Sequence, residues 1–300
     1  MLYQKTIKES IKIEGVGLHS GEKVSMELCP APPDTGVVFR RDGVSIKALR
    51  ENVAGTSYAT SLVRAGVHVR TVEHLLSALA GLAVDNLYVE MEGGEVPIID
   101  GSAWPFVKAI IEAGTISHGA ARRFLKVVRP ITVTEGDKSA TLLPSPIPRI
   151  TYRIDFDHPL LRNQRYSLDI DTRSFVEELA RARTFGFLKD AEMLTKAGLA
   201  RGGSSDNAII LTDDGIVNQD GLRYPDEFVR HKMMDAIGDL SLIGMPVIGH
   251  LIADKSGHRL NQRLVQETLL RQDSWIVVEG GLVPEDAASQ GLVFSEAVPG

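Results

Sequence analysis

Apolar and polar residues alternate with the period of a half-buried strand in three early stretches, Lys8 to Ile13, Val24 to Leu28 and Val67 to Val69. Gly, Pro and Asp turn residues separate them. The period then lengthens. Leu75, Leu76, Leu79 and Leu82 recur at helical spacing and predict a helix over 71–82, with Thr71 placed to cap its first turn. Asp85-Asn86 turns the chain into a strand over 87–92, and Ser102 is placed to cap a helix over 103–113 that Gly114 stops. The second half repeats the style. Strands are predicted over 124–133, 140–143 and 150–156, and a helix from Ser174 through Ala182. A short helix over 191–197 ends at Gly198, and a strand over 208–211 meets the turn Asp213-Asp214-Gly215. A long helix over 226–243, a strand over 247–253 and a helix over 260–271 follow.

Helix, strand, helix therefore closes each half, first over 71–82, 87–92 and 103–113, then over 226–243, 247–253 and 260–271. That repeat predicts an α+β fold of two similar domains. Each is a mostly antiparallel sheet with two helices on one face, and the domains pack helix layer to helix layer. The expected division is 1–118 and 119–280, with an inserted element near 185–210. Residues 281–300 lack periodicity and read as a disordered tail.

Composition narrows the function classes. Three hundred residues suit two domains, and 43% apolar with 24% charged residues is ordinary for a soluble globular protein. The net charge is -6 and no basic run stands out, Arg122-Arg123 being the nearest thing to one, which argues against a nucleic-acid partner. Cys29 is the only cysteine, so an intrachain disulfide and a thiolate-rich metal site are excluded. Its place in an alternating run reads as a small apolar filler near a strand end. No signal-peptide pattern follows Met1, and no apolar run approaches the ~20 residues of a membrane span. A cytoplasmic protein is expected, with peripheral membrane contact still compatible. Nothing implies an oligomer.

Candidate chemistry starts at His231 and Asp235. Four residues apart on a helix, they leave one face in the same direction, and both are good zinc ligands. The plain alternative is a surface hydrogen-bonded pair. Met233, Met234, Ile237 and Leu240 bury part of this helix, and a buried ionisable pair needs a partner. His74 is the best third ligand, and the three together fit a catalytic zinc with one open position. Packing of the helix layers would bring them together at the domain interface. Glu73 points about 100° away from His74 on the helix. It serves equally as a general base or as a first-turn acid favoured by the helix dipole. His258, on a Gly-containing loop, is either idle in solvent or a general acid and oxyanion stabiliser. Asp239, one turn beyond Asp235, is placed to orient it and keep it charged. Arg201-Gly202-Gly203-Ser204-Ser205 implies close backbone approach to a ligand, a plain turn or a wall of an apolar channel. A kinase phosphate loop is disfavoured there, because a strand rather than a helix follows.

At these residues the chain resembles the zinc-dependent UDP-3-O-acyl-N-acetylglucosamine deacetylases of lipid A biosynthesis in Gram-negative bacteria. The resemblance covers about residues 1–280. It is carried by Gly15-Val16-Gly17-Leu18-His19-Ser20-Gly21, Thr71-Val72-Glu73-His74-Leu75, Pro97-Ile98-Ile99-Asp100-Gly101-Ser102 and Arg181-Ala182-Arg183-Thr184-Phe185-Gly186-Phe187. Gly221-Leu222-Arg223-Tyr224, His231 to Leu240 and Lys255-Ser256-Gly257-His258 complete it in order. It implies a metal held by His74, His231 and Asp235, zinc with Fe2+ as the other candidate. It implies Glu73 as general base, His258 as charged partner with Asp239 behind it, and Thr184 offering its hydroxyl to the oxyanion. Lys138, Phe156, Phe185, Lys232 and Lys255 would line the nucleotide and sugar site. Leu188, Met193, Leu194 and Leu199 would suit an acyl-chain passage, or form the core of a small helix. The implied reaction is hydrolysis of the N-acetyl group of a UDP-linked acylated glucosamine to a free amine and acetate. The alternative is a non-catalytic nucleotide-sugar binding protein, which has no need of Glu73, His258 and three metal ligands together.

Overall fold

The computed structural model describes residues 1–280, so the tail expected over 281–300 lies outside the described residues. The first half contains β1 (Ile11–Val16), β2 (Lys23–Pro30), β3 (Val37–Arg41), β4 (Val44–Lys47), α1 (Glu73–Gly81), β5 (Leu87–Glu92) and α2 (Trp104–Ala113). The second contains β6 (Ile131–Glu135), β7 (Lys138–Leu143), β8 (Arg149–Ile154), β9 (Gln164–Asp169), α3 (Glu227–Ser241), β10 (His250–Asp254) and α4 (His258–Leu270). The sheets run β1-β2-β5-β3-β4 and β6-β7-β10-β8-β9. Each has one parallel pair, β3 with β5 and β8 with β10, and all other pairs are antiparallel. Strand for strand the halves share one topology, the α+β repeat read from the sequence.

Alternation explains the sheets. Val24, Met26 and Leu28 of β2 are buried, as are Ala140 and Leu142 of β7. The helices lie between the sheets. Leu75, Leu76 and Leu79 of α1 join Met233, Met234 and Ala236 of α3 in one continuous core. The two helix layers meet where α1 crosses α3. Gly238 makes this crossing possible, because a Cβ there would run into the carbonyl oxygen of Glu73. Gly238→Ala is therefore expected to force the helices apart and destabilise the fold by about 1–3 kcal/mol or more, measured by denaturant unfolding.

Several local expectations are corrected. Thr71 does not cap α1. Its φ is +56°, and its hydroxyl donates to Glu95 Oε1 at 2.8 Å, so Val72 precedes the helix. Ser174 is not a cap either. Asp171 caps, Ser174 returns the second bond of a capping box, and a π-helical turn over Phe175–Leu179 follows three α-helical residues. The strand expected over 124–133 is two, Arg123–Val127 and Ile131–Glu135, because Pro130 interrupts the pairing. The strand expected over 247–253 breaks at Gly249. Val247–Ile248 joins Arg123–Val127, and β10 joins the large second sheet. A Cβ on Gly249 would lie 2.8 Å from Val127 Cγ2. Position 118 falls inside the strand Thr115–Ala121, which pairs with Tyr3–Ile7. We accordingly propose the division between halves after Ala121.

The two glycine loops explain each other. Arg201 and Gly202 donate backbone N–H bonds to His19 and Leu18 carbonyls at 3.3 and 3.0 Å. A Cβ on Gly202 would strike the Gly17 carbonyl oxygen. The close approach read at 201–205 is to the loop 15–21. The inserted element holds strands Phe185–Phe187 and Ile209–Leu211 in parallel and a short helix, Ala191–Lys196. That helix buries no residue, and Leu188 and Met193 are exposed, so the reading as a small helix core is wrong.

Candidate metal and acid–base centre

Helices α1 and α3 carry the candidate ligands to their crossing. His74 is the second residue of α1, and His231 and Asp235 lie one turn apart on α3. All three are buried, and each offers a ligand atom within 4.8 Å of the others. Asp235 Oδ1 lies 3.5 Å from His74 Nε2 and 3.4 Å from His231 Nε2. Tetrahedral ligands with bonds of about 2.1 Å stand about 3.4 Å apart. Despite that proximity, Oδ1 has no hydrogen-bond partner among the described residues. A buried carboxylate oxygen without a donor is costly. The orphaned oxygen and the two imidazole nitrogens fit a shared divalent cation.

The surroundings favour ligand protonation states. His231 Nδ1–H donates to the Ala182 carbonyl at 3.1 Å, which leaves the Nε2 lone pair facing Asp235. Burial lowers the His231 pKa to about 3, so its imidazole is neutral. Burial would raise the Asp235 pKa, but the cationic Lys232 and His258 hold it well below the usual carboxylate range. Lys232 Nζ donates to Asp235 Oδ2 at 2.7 Å.

A second set faces the first. Glu73 Oε1 lies 3.6 Å from His258 Nε2, which is 3.8 Å from Asp235 Oδ2. His258 Nδ1–H donates to Asp239 Oδ2 at 2.9 Å. Burial would lower the His258 pKa, yet the Asp239 and Glu73 carboxylates outweigh it and push it up to about 9. Burial raises the Glu73 pKa, with His258 and His74 opposing. The result is a carboxylate with a raised pKa facing an imidazolium with a raised pKa.

A cavity of about 190 Å³ opens over both sets. Thr184, Phe156, Phe185 and Lys232 line it, together with Glu73, His258 and the three candidate ligands. Asp239 sits behind His258 and is fully buried. Lys138 and Lys255 are not brought into this cavity. Lys138 is exposed at the start of β7, and Lys255 pairs with Asp137 at the preceding hairpin. The lining also contains Leu18, His19, Tyr58 and Thr71, none of which was singled out as a site residue. For Leu18, His19 and Thr71 the signal was present, since all three stand inside motifs quoted above. Tyr58 gave none.

Those motifs have structural duties around the centre. Glu95 accepts from the backbone N–H of His19 and Ser20 at 2.9 and 2.8 Å, and so fixes the first glycine loop. Buried Glu227 accepts from Arg183 Nε at 2.9 Å and from the Arg223 N–H at 2.6 Å. Arg223 in turn donates to Asp100 Oδ2 at 2.9 Å, tying the second half to the first. Thr184 is held by backbone bonds to Gly101 and Ile209, each 2.8 Å.

Comparison with known proteins places the chain in a family. The family model described as UDP-3-O-acyl N-acetylglycosamine deacetylase matches residues 4–270. The UDP-3-O-acyl-N-acetylglucosamine deacetylase of Marinobacter nauticus is 52% identical over 284 residues, 93% of each chain. The protein of that name from Hahella chejuensis is 52% identical over 93% of this chain and 94% of its own. The one from Pseudomonas entomophila is 51% identical over 99% of each. A match to nearly the whole family model, with relatives at half identity along the full length, shows that the chain belongs to the UDP-3-O-acyl N-acetylglycosamine deacetylase family.

Proposed function

We propose that this chain hydrolyses the N-acetyl group of UDP-3-O-acyl-N-acetylglucosamine, releasing acetate and leaving the free amine, an early step of lipid A biosynthesis. One observation carries the reading. The buried His74, His231 and Asp235 set and the Glu73–His258 pair converge in one cavity from both halves of the chain. A nucleotide-sugar binding protein has no use for that convergence.

His74, His231 and Asp235 would hold the metal. Zn2+ is the ion we favour, and the same nitrogen and oxygen donors suit Fe2+. When bound, the ion supplies Lewis acidity to the reacting carbonyl and to the attacking water. Glu73 takes the proton of that water as general base. Its carboxylate is held by the N–H of Thr60, which donates to Oε2 at 3.0 Å. Cationic His258 and the Thr184 hydroxyl face the charge that develops on the carbonyl oxygen. The departing amine takes its proton from Glu73 or His258, the two groups in reach. Phe156, Phe185 and Lys232 contact the sugar within the cavity. At about 190 Å³ the cavity is smaller than the ~300–1,000 Å³ usual for drug-sized ligands, so much of the substrate extends beyond it. We assign Lys138 and Lys255 to that outer nucleotide-bearing part. Leu188 and Met193, exposed on the inserted element, are offered to the acyl chain. No helix of the described residues is long and apolar enough to cross a membrane.

The test is acetate release from the acylated UDP-sugar, with metal analysis on the same sample. Release should stop with a chelator and return with Zn2+. Binding of the substrate without acetate release would leave only the binding-protein reading.

A further inference from the structure

We propose that Thr60 is a positioning residue that locks the two proton-handling groups, Glu73 and His258, into one register across the seam between the halves. This rests on the hydrolytic reading above. Thr60 lies between the short strands Val53–Gly55 and Ser61–Arg64, and is fully buried. It is not a lining residue of the cavity, and all its polar groups are spent. The backbone N–H donates to Glu73 Oε2 at 3.0 Å. The carbonyl accepts the Val72 N–H at 3.2 Å, just ahead of α1. The hydroxyl donates to Asp239 Oδ1 at 2.6 Å, and its oxygen is 3.4 Å from His258 Nδ1.

That last bond matters most, because it joins residues 179 positions apart and belonging to opposite halves. Asp239 uses both oxygens as acceptors. Oδ2 takes His258 Nδ1–H and Asn261 Nδ2 at 2.9 and 2.8 Å. Oδ1 takes Thr60 and, less closely, Gln262 Nε2 at 3.2 Å. Three of these four donors come from α4, and only Thr60 comes from the first half. The hydroxyl therefore sets where the Asp239 carboxylate, and so the His258 ring, stands relative to Glu73. A short bond to a buried carboxylate is among the stronger protein hydrogen bonds.

Thr60→Val keeps the shape of the side chain and removes the donor, and Thr60→Ser keeps the donor. With the metal-loaded enzyme and the acetate assay, Thr60→Val should lower kcat about ten- to a hundredfold, the span of a lost hydrogen bond to a charged group. KM and metal content should hold, and Thr60→Ser should stay within a few-fold of the parent. In an Asp239→Asn background, Thr60→Val should add little, because both changes break one link. Thr60→Ala serves the same comparison should the valine protein fail to fold. Unchanged kcat in Thr60→Val, equal losses in the valine and serine variants, or fully additive losses with Asp239→Asn would overturn the proposal. A parent enzyme that releases no acetate would instead overturn the hydrolytic reading beneath it.

Discussion

His258→Ala is expected to keep its metal and lose about 10²–10⁴ in turnover, the span of an acid–base group. The imidazole is no ligand, since its Nε2 faces Glu73 and Asp235 Oδ2 while its Nδ1–H is committed to Asp239. Removing it leaves His74, His231 and Asp235 in place. The pH profile sharpens the prediction. On the proposed roles, activity requires Glu73 deprotonated and His258 protonated. It should therefore rise through the raised pKa of Glu73 and fall through about pH 9, where His258 gives up its proton. The variant should keep the acid limb and lose the alkaline one. Near-normal turnover, or an alkaline limb that survives, would remove His258 from the chemistry.

Asp235→Ala should abolish activity by a different route, through metal content. Oδ1 is the atom shared between the two imidazoles, and Oδ2 is the partner of Lys232. The substitution removes the proposed anionic ligand and also strands a largely buried ammonium. Breaking a buried ion pair from one side costs about 3–5 kcal/mol. Two signatures should appear together: metal lost on dialysis and a lowered unfolding midpoint. Asp235→Asn, which keeps the volume, should lose metal with a smaller loss of stability. Full metal occupancy in the alanine variant after dialysis would show that Asp235 is not a ligand.

The contrast between what the chain discloses and what it conceals is physical. Periodicity disclosed α1 and α3 because one face of each is apolar, and the repeated helix–strand–helix order disclosed the shared topology of the sheets. His231 and Asp235 were legible because helical spacing alone sets them side by side. His74 was legible only as a candidate, since its approach depends on how two distant helices pack. Thr60, Tyr58 and Glu95 were silent. Thr60 and Glu95 act through bonds made by chain reversal, Tyr58 only lines the cavity, and nothing in the local pattern of any of them records its place. Thr71 misled for a related reason: a threonine before a helix normally caps it, but here the hydroxyl is spent on Glu95. Lys138 and Lys255 were legible only through resemblance. Resemblance named them, and the fold leaves them outside the cavity with Lys255 already paired to Asp137.

The crossing at Gly238 has one more consequence. Neither half owns the complete set of candidate reacting groups, because Glu73 and His74 come from one and His231, Asp235 and His258 from the other. On the proposed roles, hydrolysis is expected only when the whole polypeptide is docked. The same dependence makes the seam a point of vulnerability. A wedge of a single carbon between two backbones would part the candidate groups while leaving every one of their side chains intact.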